Sequence, residues 1–151
     1  MTPSAEIEHV YRAEGDRLYY ALLAYTGDRD IAREAVAESF ARALASESSI
    51  REVVPWIWRV AFRVAAADLK ERKRLTNSEI EERPGPEPHD LVEALSQLPE
   101  RQRASIVLHY YAGYSLDEIA SILGTRKGTI GTHLHRGRAR LQELLQEEDD
   151  D

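Results

Sequence analysis

The chain has 151 residues, of which 42% are hydrophobic, and it carries a formal net charge of −7. This composition is typical of a folded soluble protein with one ordinary domain or two small ones, and residues 1–9 do not resemble a secretory signal. The absence of cysteine excludes disulfides and thiolate metal sites, and no apolar run approaches the roughly 20 residues that span a bilayer. We therefore expect a cytoplasmic protein without membrane insertion, metal or cofactor.

The charge is unevenly distributed along the chain. Residues 1–72 and 73–90 each carry a net charge of −2, residues 91–146 carry +2, and residues 147–151 are all acidic. No acid occurs between Glu118 and Glu143, whereas five basic residues do: Arg126, Lys127, Arg136, Arg138 and Arg140. Because a phosphate responds to charges within about 8–10 Å in physiological salt, this basic segment permits a nucleic-acid partner despite the overall acidity.

Three helices are predicted in the first half, where apolar residues recur with a 3.6-residue period and strand alternation is nearly absent. The first spans about residues 6–25 and the second runs from residues 28–30 to about 45. Pro55 suits the first turn of a third helix that continues to about Lys73. The stretch 81–88 then combines three prolines and a glycine with charged residues, which predicts a flexible linker over residues 75–90.

The second half is predicted to be helical as well. A helix over about residues 90–97 is followed by one that begins near Pro99 and buries the stripe Ala104, Val107, Leu108 and Tyr111. Ser115 and Glu118 have capping-box spacing before a short helix that ends at Gly124, and Thr125 is predicted to cap a final helix to about Gln146. The expected fold is all-α, with small helical domains at residues 1–74 and 91–146 and an acidic tail at 147–151.

Residues 115–141 have the order of a helix-turn-helix: a short capped helix, a tight turn and a longer basic helix. The predicted buried stripes are Leu116, Ile119, Ala120 and Leu123 on the first helix and Ile130, Leu134, Leu141 and Leu145 on the second, where Gly137 allows close packing. Thr129, His133, Arg136 and Arg140 fall on one flank at about 100° per residue. The candidate DNA contacts are Arg126, Lys127, Thr129, Thr132, His133, Arg136 and Arg140. The alternative is a solvated helix whose late basic residues complement the helix dipole.

In the first half, Glu34 and Glu38 stand one helical turn apart and suit a basic partner surface. The local alternative is an ordinary i, i+4 ion pair between Glu38 and Arg42, and the residues alone favour it. Val36, Phe40 and Leu44 are expected to belong to the core.

The third predicted helix carries both aromatic and basic residues. Trp58 and Phe62, as i, i+4 neighbours, are expected to be buried, whereas Trp56 lies on another face and suits a contact with DNA bases. A basic run along the helix suits the DNA backbone. The candidate contacts of this helix are Trp56, Arg59, Arg63, Lys70 and Lys73.

The C-terminal motif resembles region four of bacterial sigma factors. The resemblance rests on Leu98-Pro-Glu-Arg-Gln-Arg, on the stretch from Tyr110 to Ile130, and on Leu134-His-Arg-Gly-Arg-Ala-Arg-Leu. It implies binding to the minus-thirty-five promoter element and to the beta flap of RNA polymerase. The chain departs from the family pattern at Gly131 and His133, where basic residues are more common, and at Gly137, which is usually Ala.

The N-terminal half resembles region two of the extracytoplasmic-function sigma factors. The matching stretches are residues 25–43, which include Gly27-Asp-Arg-Asp, and residues 54–68, which include Pro55-Trp-Ile-Trp. The resemblance implies that the helix over 31–43, with Glu34, Glu38 and Arg42, binds the beta-prime clamp helices of core polymerase. It also implies that the third helix and the loop 45–54 contact and open the minus-ten element, although Phe62-Arg63 replaces the common Arg-Asn.

The resemblance implies a sigma factor that binds core RNA polymerase and promoter DNA, is controlled by an anti-sigma factor, and is a monomer when free. Two alternatives remain open: a helix-turn-helix regulator with a sensor or dimerisation module, and a sigma-like adaptor that binds polymerase without opening promoters. An enzyme is the least favoured interpretation, because no paired carboxylates, nucleophile–base set or phosphate loop is recognisable.

Overall fold

The computed structural model describes residues 2–76 and 91–149, and side chains as far as Gln146. All regular structure within these ranges is helical, as predicted. The described chain divides into two compact units, residues 1–70 and 71–151, and the division falls inside the third helix. Most of the predicted linker, residues 77–90, lies outside the described residues, as do the side chains of the acidic tail. None of the described helices is long and apolar enough to cross a membrane.

The first unit contains three long helices, α1 (Pro3–Thr26), α2 (Arg29–Ala45) and α3 (Val53–Leu75), with a short 3₁₀ turn at Glu47–Ser49. Gly27 ends α1 with a φ of 68°, in the left-handed region that glycine adopts without strain. Asp28 then caps α2, because its Oδ1 accepts hydrogen bonds from the amides of Asp30 and Ile31 at 2.9 and 3.0 Å. The turn thus satisfies the backbone at both helix ends, so α1 and α2 form a stable hairpin.

Aromatic side chains join the helices of this unit. Tyr11 of α1 meets Phe40 of α2 edge-on at 5.1 Å between ring centroids. Tyr25 of α1 stacks on Phe62 of α3 at 5.2 Å, and Phe62 lies parallel to Trp58 at 6.1 Å. Trp58 and Phe62 are 0% and 1% exposed, which confirms that this pair belongs to the core.

The second unit contains α4 (Leu91–Ser96), α5 (Glu100–Ile106), a π-helical turn (Val107–Tyr111), α6 (Leu116–Leu123) and α7 (Lys127–Asp149). Helices α4, α5 and α6 all pack against α7. Gly137 of α7 permits the closest approach, because a Cβ at that position would lie 3.0 Å from Cγ1 of Ile106 in α5. The prediction that Gly137 allows close packing is therefore confirmed.

Several side chains differ from their predicted positions. Val36, Leu116 and Leu123 are half-buried rather than part of the core, and Ile122, which was not predicted, is buried in α6. Tyr111 is 49% exposed rather than buried, because the π-helical turn adds a residue to that turn and rotates the residues at its end. Leu44 is 51% exposed, since it faces outward near the end of α2. Leu144 is buried in place of Leu145, and Thr125 precedes α7 by two residues, too far to be its N-cap.

Candidate nucleic-acid interface

The turn between α6 and α7 is fixed by hydrogen bonds at both ends of α6. At its start, the Ser115 amide donates to Oε1 of Glu118 at 3.0 Å, and the Glu118 amide donates to Oγ of Ser115 at 3.2 Å. This is the predicted capping box, and the backbone hydrogen bond from Ser115 holds the pKa of Glu118 below its usual value. At its end, Gly124 adopts a φ of 68° and the Thr125 amide donates to the carbonyl of Ala120 at 2.9 Å. The backbone itself therefore sets how α7 leaves the turn.

One side of α7 is buried along its length. Ile130, Leu134, Gly137, Leu141 and Leu144 are buried, with a spacing of four and three residues that keeps them in one stripe. The opposite side is exposed in the described part of the chain. At about 100° per residue, its centre carries Gly128, Thr132, His135 and Ala139, all of them exposed. A helix that follows a helix-turn-helix turn and shows small and polar side chains outward has the form required to enter a DNA major groove.

The predicted DNA contacts lie along α7 and just before it, at Arg126. Six of them are exposed, namely Arg126, Lys127, Thr129, Thr132, Arg136 and Arg140, and His133 is half-buried. Thr129, His133, Arg136 and Arg140 lie on one flank of α7, as their spacing indicates, whereas Thr132 lies at the outward centre and Lys127 on the other flank. His135 was not predicted, although its exposure and its position one turn after Thr132 place it at the outward centre.

Several of the basic groups already have partners. Lys127 Nζ lies 3.7 Å from Asp117 Oδ2, and Arg140 Nη1 donates to Glu143 Oε2 at 3.1 Å. Arg138 Nη1 donates to the hydroxyl of Tyr110 at 2.7 Å, and this hydrogen bond fixes the position of the guanidinium. Exposed ion pairs of this kind contribute at most about 1 kcal/mol and can exchange their carboxylate for a phosphate.

His133 differs from the other polar side chains of α7. Its Nδ1 is buried and has no hydrogen-bond partner among the described residues. Burial lowers the pKa of His133, and the positive charges of Arg101 and Arg136 lower it further. Arg101, on α5, was not among the sequence-predicted site residues; its Nη1 donates to the carbonyl of Leu123 at the end of α6, at 2.9 Å.

The predicted DNA contacts of α3 follow one face of that helix. Trp56, Arg63 and Lys70 project within about 40° of one another, opposite the buried side that holds Trp58. Arg63 and Lys70 are exposed, Trp56 and Arg59 are half-buried, and Lys73 is exposed one turn beyond Lys70. The face thus presents an aromatic ring at its beginning and cations along the rest.

The start of α3 also borders an open cleft formed with the preceding loop. Its lining residues are Ser49, Arg51, Glu52, Pro55, Trp56 and Arg59. A guanidinium and an aromatic ring therefore meet at one concave surface. Such a surface suits an unpaired base, which stacks on the ring while its phosphate is neutralised.

The predicted polymerase contacts lie on α2. Glu34 and Glu38 are exposed, and Arg42 Nε donates to Oε1 of Glu38 at 2.8 Å. The local ion pair is therefore formed, with both side chains about half exposed. Leu44, wrongly predicted as core, adds an apolar side chain to the exposed surface of the same helix.

Across residues 2–76 and 91–149, no cluster of three His, Asp or Glu side chains is placed to hold an ion. The fold and these surfaces define a helix-turn-helix protein that also contains a second helical unit.

Comparison with known proteins names the family. The model of sigma-70 region 4 matches residues 89–141, which include the whole helix-turn-helix. The chain is 30% identical over 142 residues to RNA polymerase sigma factor SigV of Bacillus subtilis, with 87% of this chain and 86% of SigV aligned. It is 27% identical over 137 residues to the ECF sigma factor EcfG of Rhodopseudomonas palustris, with 82% and 76% aligned.

A solved structure has the same fold. It is the sigma factor RpoE of Bartonella quintana, crystallised with the anti-sigma factor NepR, and the alignment covers 93% of this chain and 97% of that one. The TM-score is 0.79 at 22% sequence identity. The chain belongs to the extracytoplasmic-function group of RNA polymerase sigma factors.

Proposed function

We propose that this sigma factor attaches to core RNA polymerase through α2, reads an upstream promoter element with α7 and opens a downstream element with α3. The observation that carries the proposal is the outward side of α7. There, Thr132, His135 and Arg136 are exposed behind a turn that is fixed at both ends. Short polar side chains and an arginine in this position can reach base edges in the major groove.

The role of α3 is supported by the face that begins at Trp56 and continues through Arg63 to Lys70. From residue 56 to residue 70 this face extends about 21 Å at 1.5 Å per residue, enough to follow several phosphates of one strand. The cleft before it, which includes Arg51 and Trp56, has the groups to hold a base that has left the stack. We assign this surface to the minus-ten element.

The role of α2 is supported by its exposed surface, where Glu34 and Glu38 offer negative charge and Leu44 offers apolar area. Charge complementarity at the rim and an apolar contact beside it are usual in protein interfaces. We assign this surface to the beta-prime clamp helices, and the helix-turn-helix unit to the beta flap. The chain itself contributes binding rather than catalysis, and the polymerase supplies the chemistry.

We also propose that an anti-sigma protein controls the factor. Its fold relative from B. quintana was crystallised with such a partner. When free, the chain is proposed to be a cytoplasmic monomer, because promoter spacing is imposed by polymerase rather than by two-fold symmetry.

The test combines binding with initiation. Core RNA polymerase is mixed with the full chain, co-elution is measured by gel filtration, and transcription is followed from a library of promoter fragments. The variant Glu34→Arg with Glu38→Arg is expected to lose co-elution. The control is Glu6→Arg with Glu8→Arg, which makes the same charge change on the exposed surface of α1 and is expected to co-elute normally.

Each alternative function predicts a different outcome. Co-elution without promoter-specific transcripts would identify an adaptor that binds polymerase but opens no promoter. Binding to palindromic DNA as a dimer, without co-elution, would identify an ordinary helix-turn-helix regulator.

A further inference from the structure

The first turn of α1 is joined by a hydrogen bond to the loop that borders the cleft before α3. Ser4, the second residue of α1, donates from its Oγ to Oε2 of Glu47 in the 3₁₀ turn. The two residues are 43 positions apart in the sequence, so the bond connects two separate segments of the first unit. Helix α1 and the 3₁₀ turn also pack against each other. The turn is therefore held by α1 as well as by its own neighbours along the chain.

The backbone of Ser4 is fixed by the cap of α1. Thr2 is the N-cap residue, and its Oγ1 accepts a hydrogen bond from the Ala5 amide at 3.1 Å. The carbonyl of Thr2 accepts a second hydrogen bond, from the Glu6 amide at 3.0 Å. Because both bonds enclose Ser4, its hydroxyl is presented to Glu47 from an ordered helical turn.

Glu47 depends on this contact. Among the described residues, the hydroxyl of Ser4 is the one hydrogen-bond donor to its carboxylate, which forms no ion pair there. The side chain is half-buried and does not line the cleft. The bond to Ser4 thus directs a negative charge toward α1 and keeps it out of the cleft lining.

The 3₁₀ turn connects Glu47 to the cleft. Ser49, which lines the cleft, donates from both its amide and its Oγ to the carbonyl of Ser46, each at 2.9 Å. The amide of Ser46 in turn donates to the carbonyls of Arg42 and Ala43 at the end of α2, at 3.0 and 3.2 Å. Glu47 lies inside this hydrogen-bonded turn, so a displacement of Glu47 is passed on to Ser49.

We propose that the hydrogen bond between Ser4 and Glu47 positions the loop side of the cleft, so that the first turn of α1 contributes to the choice of base in the downstream element. The inference rests on the proposed role of the cleft in holding an unpaired base. Ser49 and Arg51 form its loop side, and Trp56 and Arg59 form the side that belongs to α3. A binding site discriminates between ligands when its contact groups are held in place by supporting hydrogen bonds. Ser4 and Glu47 are therefore positioning residues, which act on the base through Ser49 and its neighbours.

The first test measures the mobility of the loop by NMR nitrogen relaxation of the full chain. In Ser4→Ala and in Glu47→Ala, the order parameters of the amides of residues 47–49 should fall from about 0.85, a rigid value, toward about 0.6. Ser4→Thr keeps the hydroxyl and should keep the rigid value. The matched control is Glu8→Ala, which removes a carboxylate and its hydrogen bond to Arg12 on the exposed surface of α1 and should leave the loop unchanged.

The second test measures base preference. Core RNA polymerase and the full chain transcribe a library of promoter fragments in which the downstream element is randomised. Ser4→Ala and Glu47→Ala should each reduce the preference at one downstream position by about two- to tenfold, the effect of one hydrogen bond, and leave the upstream preference unchanged. The double variant should match the single variants, because each of them removes the same bond. A general loss of stability would instead lower the transcripts from all promoters alike.

Two results would overturn the proposal: order parameters of residues 47–49 that stay rigid in Ser4→Ala, or base preferences in Ser4→Ala that equal those of Glu8→Ala. Both leave the sigma function standing when promoter-specific transcripts are observed. If the unsubstituted chain gives no such transcripts, the proposed function is refuted, and with it the contribution of Ser4 to base choice. The relaxation measurement then still decides whether Ser4 holds the loop.

Discussion

Two glycines in the interior of α7 allow the effect of packing on stability to be distinguished from the effect of helix propensity. Replacing Gly by Ala in a helix interior stabilises it by about 1 kcal/mol when the new methyl group meets no obstacle. A Cβ at Gly131 would lie 3.8 Å from Cδ2 of Leu116, an ordinary contact, so Gly131→Ala should gain that amount. A Cβ at Gly137 would lie 3.0 Å from Cγ1 and 3.3 Å from Cδ1 of Ile106, which is itself buried.

Ile106 must move to admit a methyl group at Gly137. Overpacking of this kind costs about 1–3 kcal/mol, which equals or exceeds the propensity gain. We therefore expect Gly137→Ala to lie between neutral and about 2 kcal/mol destabilising, roughly 1–3 kcal/mol below Gly131→Ala. Gly137→Ala is expected to be the less stable of the two variants.

Urea unfolding of the full chain measures this difference. Far-UV circular dichroism follows all helices, whereas fluorescence follows only Trp56 and Trp58, the two tryptophans of the chain, both in α3. The urea midpoint measured by dichroism should differ between the two glycine variants, whereas the midpoint measured by fluorescence should be the same for both. Ile106→Ala, which alone should cost about 2–5 kcal/mol, should cost less when Gly137→Ala is present. Equal stability of Gly131→Ala and Gly137→Ala would refute the reasoning.

Three smaller predictions concern single polar groups. Ser115→Ala removes the capping box and should lower the free energy of unfolding by about 0.5–2 kcal/mol at pH 7. Because the pKa of Glu118 is lowered in the folded state, this loss should shrink as pH falls through the range in which carboxylates titrate. A loss that does not change with pH in urea titrations would contradict the prediction. Arg42→Gln breaks an exposed ion pair with Glu38, so the free energy of unfolding, measured by thermal denaturation, should change by less than about 0.5 kcal/mol. A larger loss would mean that Arg42 has a structural role. The pKa of His133 is lowered on folding, so the unfolded chain binds more protons and the free energy of unfolding should decrease as pH falls below about 6.5. Between pH 7.5 and 5.5, His133→Gln should lose less stability than the unsubstituted chain. Equal losses would count against the buried imidazole.

The helices and several of their ends could be predicted from sequence because they depend on local chemistry, although the N-cap predicted for α7 was wrong. Asp28 and Ser115 are capping residues with the required spacing, and Gly27 and Gly124 follow the last helical residues. Trp58 was predicted as core from its spacing to Phe62, since large aromatic residues one turn apart usually share the buried side.

The errors arose where tertiary packing or an irregular turn determines which way a side chain points. Periodicity placed Tyr111 with Leu108 because it assumed 3.6 residues per turn, and the π-helical turn breaks that assumption. Leu44 is apolar, but it lies near the end of α2 and is 51% exposed. Arg101 could not be selected from sequence, because its position beside His133 depends on how α5 packs on α7.

The outward side of α7 has a consequence for how this protein can change over generations. Gly128, Thr132 and His135 are exposed, while the stability of the unit depends on the opposite stripe and on the capped turn. Under the proposed role of α7, substitutions at these three positions are expected to change the preferred DNA sequence while the fold is inherited unchanged. The same separation makes the three positions a natural starting set for engineering variants that respond to different promoters within one cell.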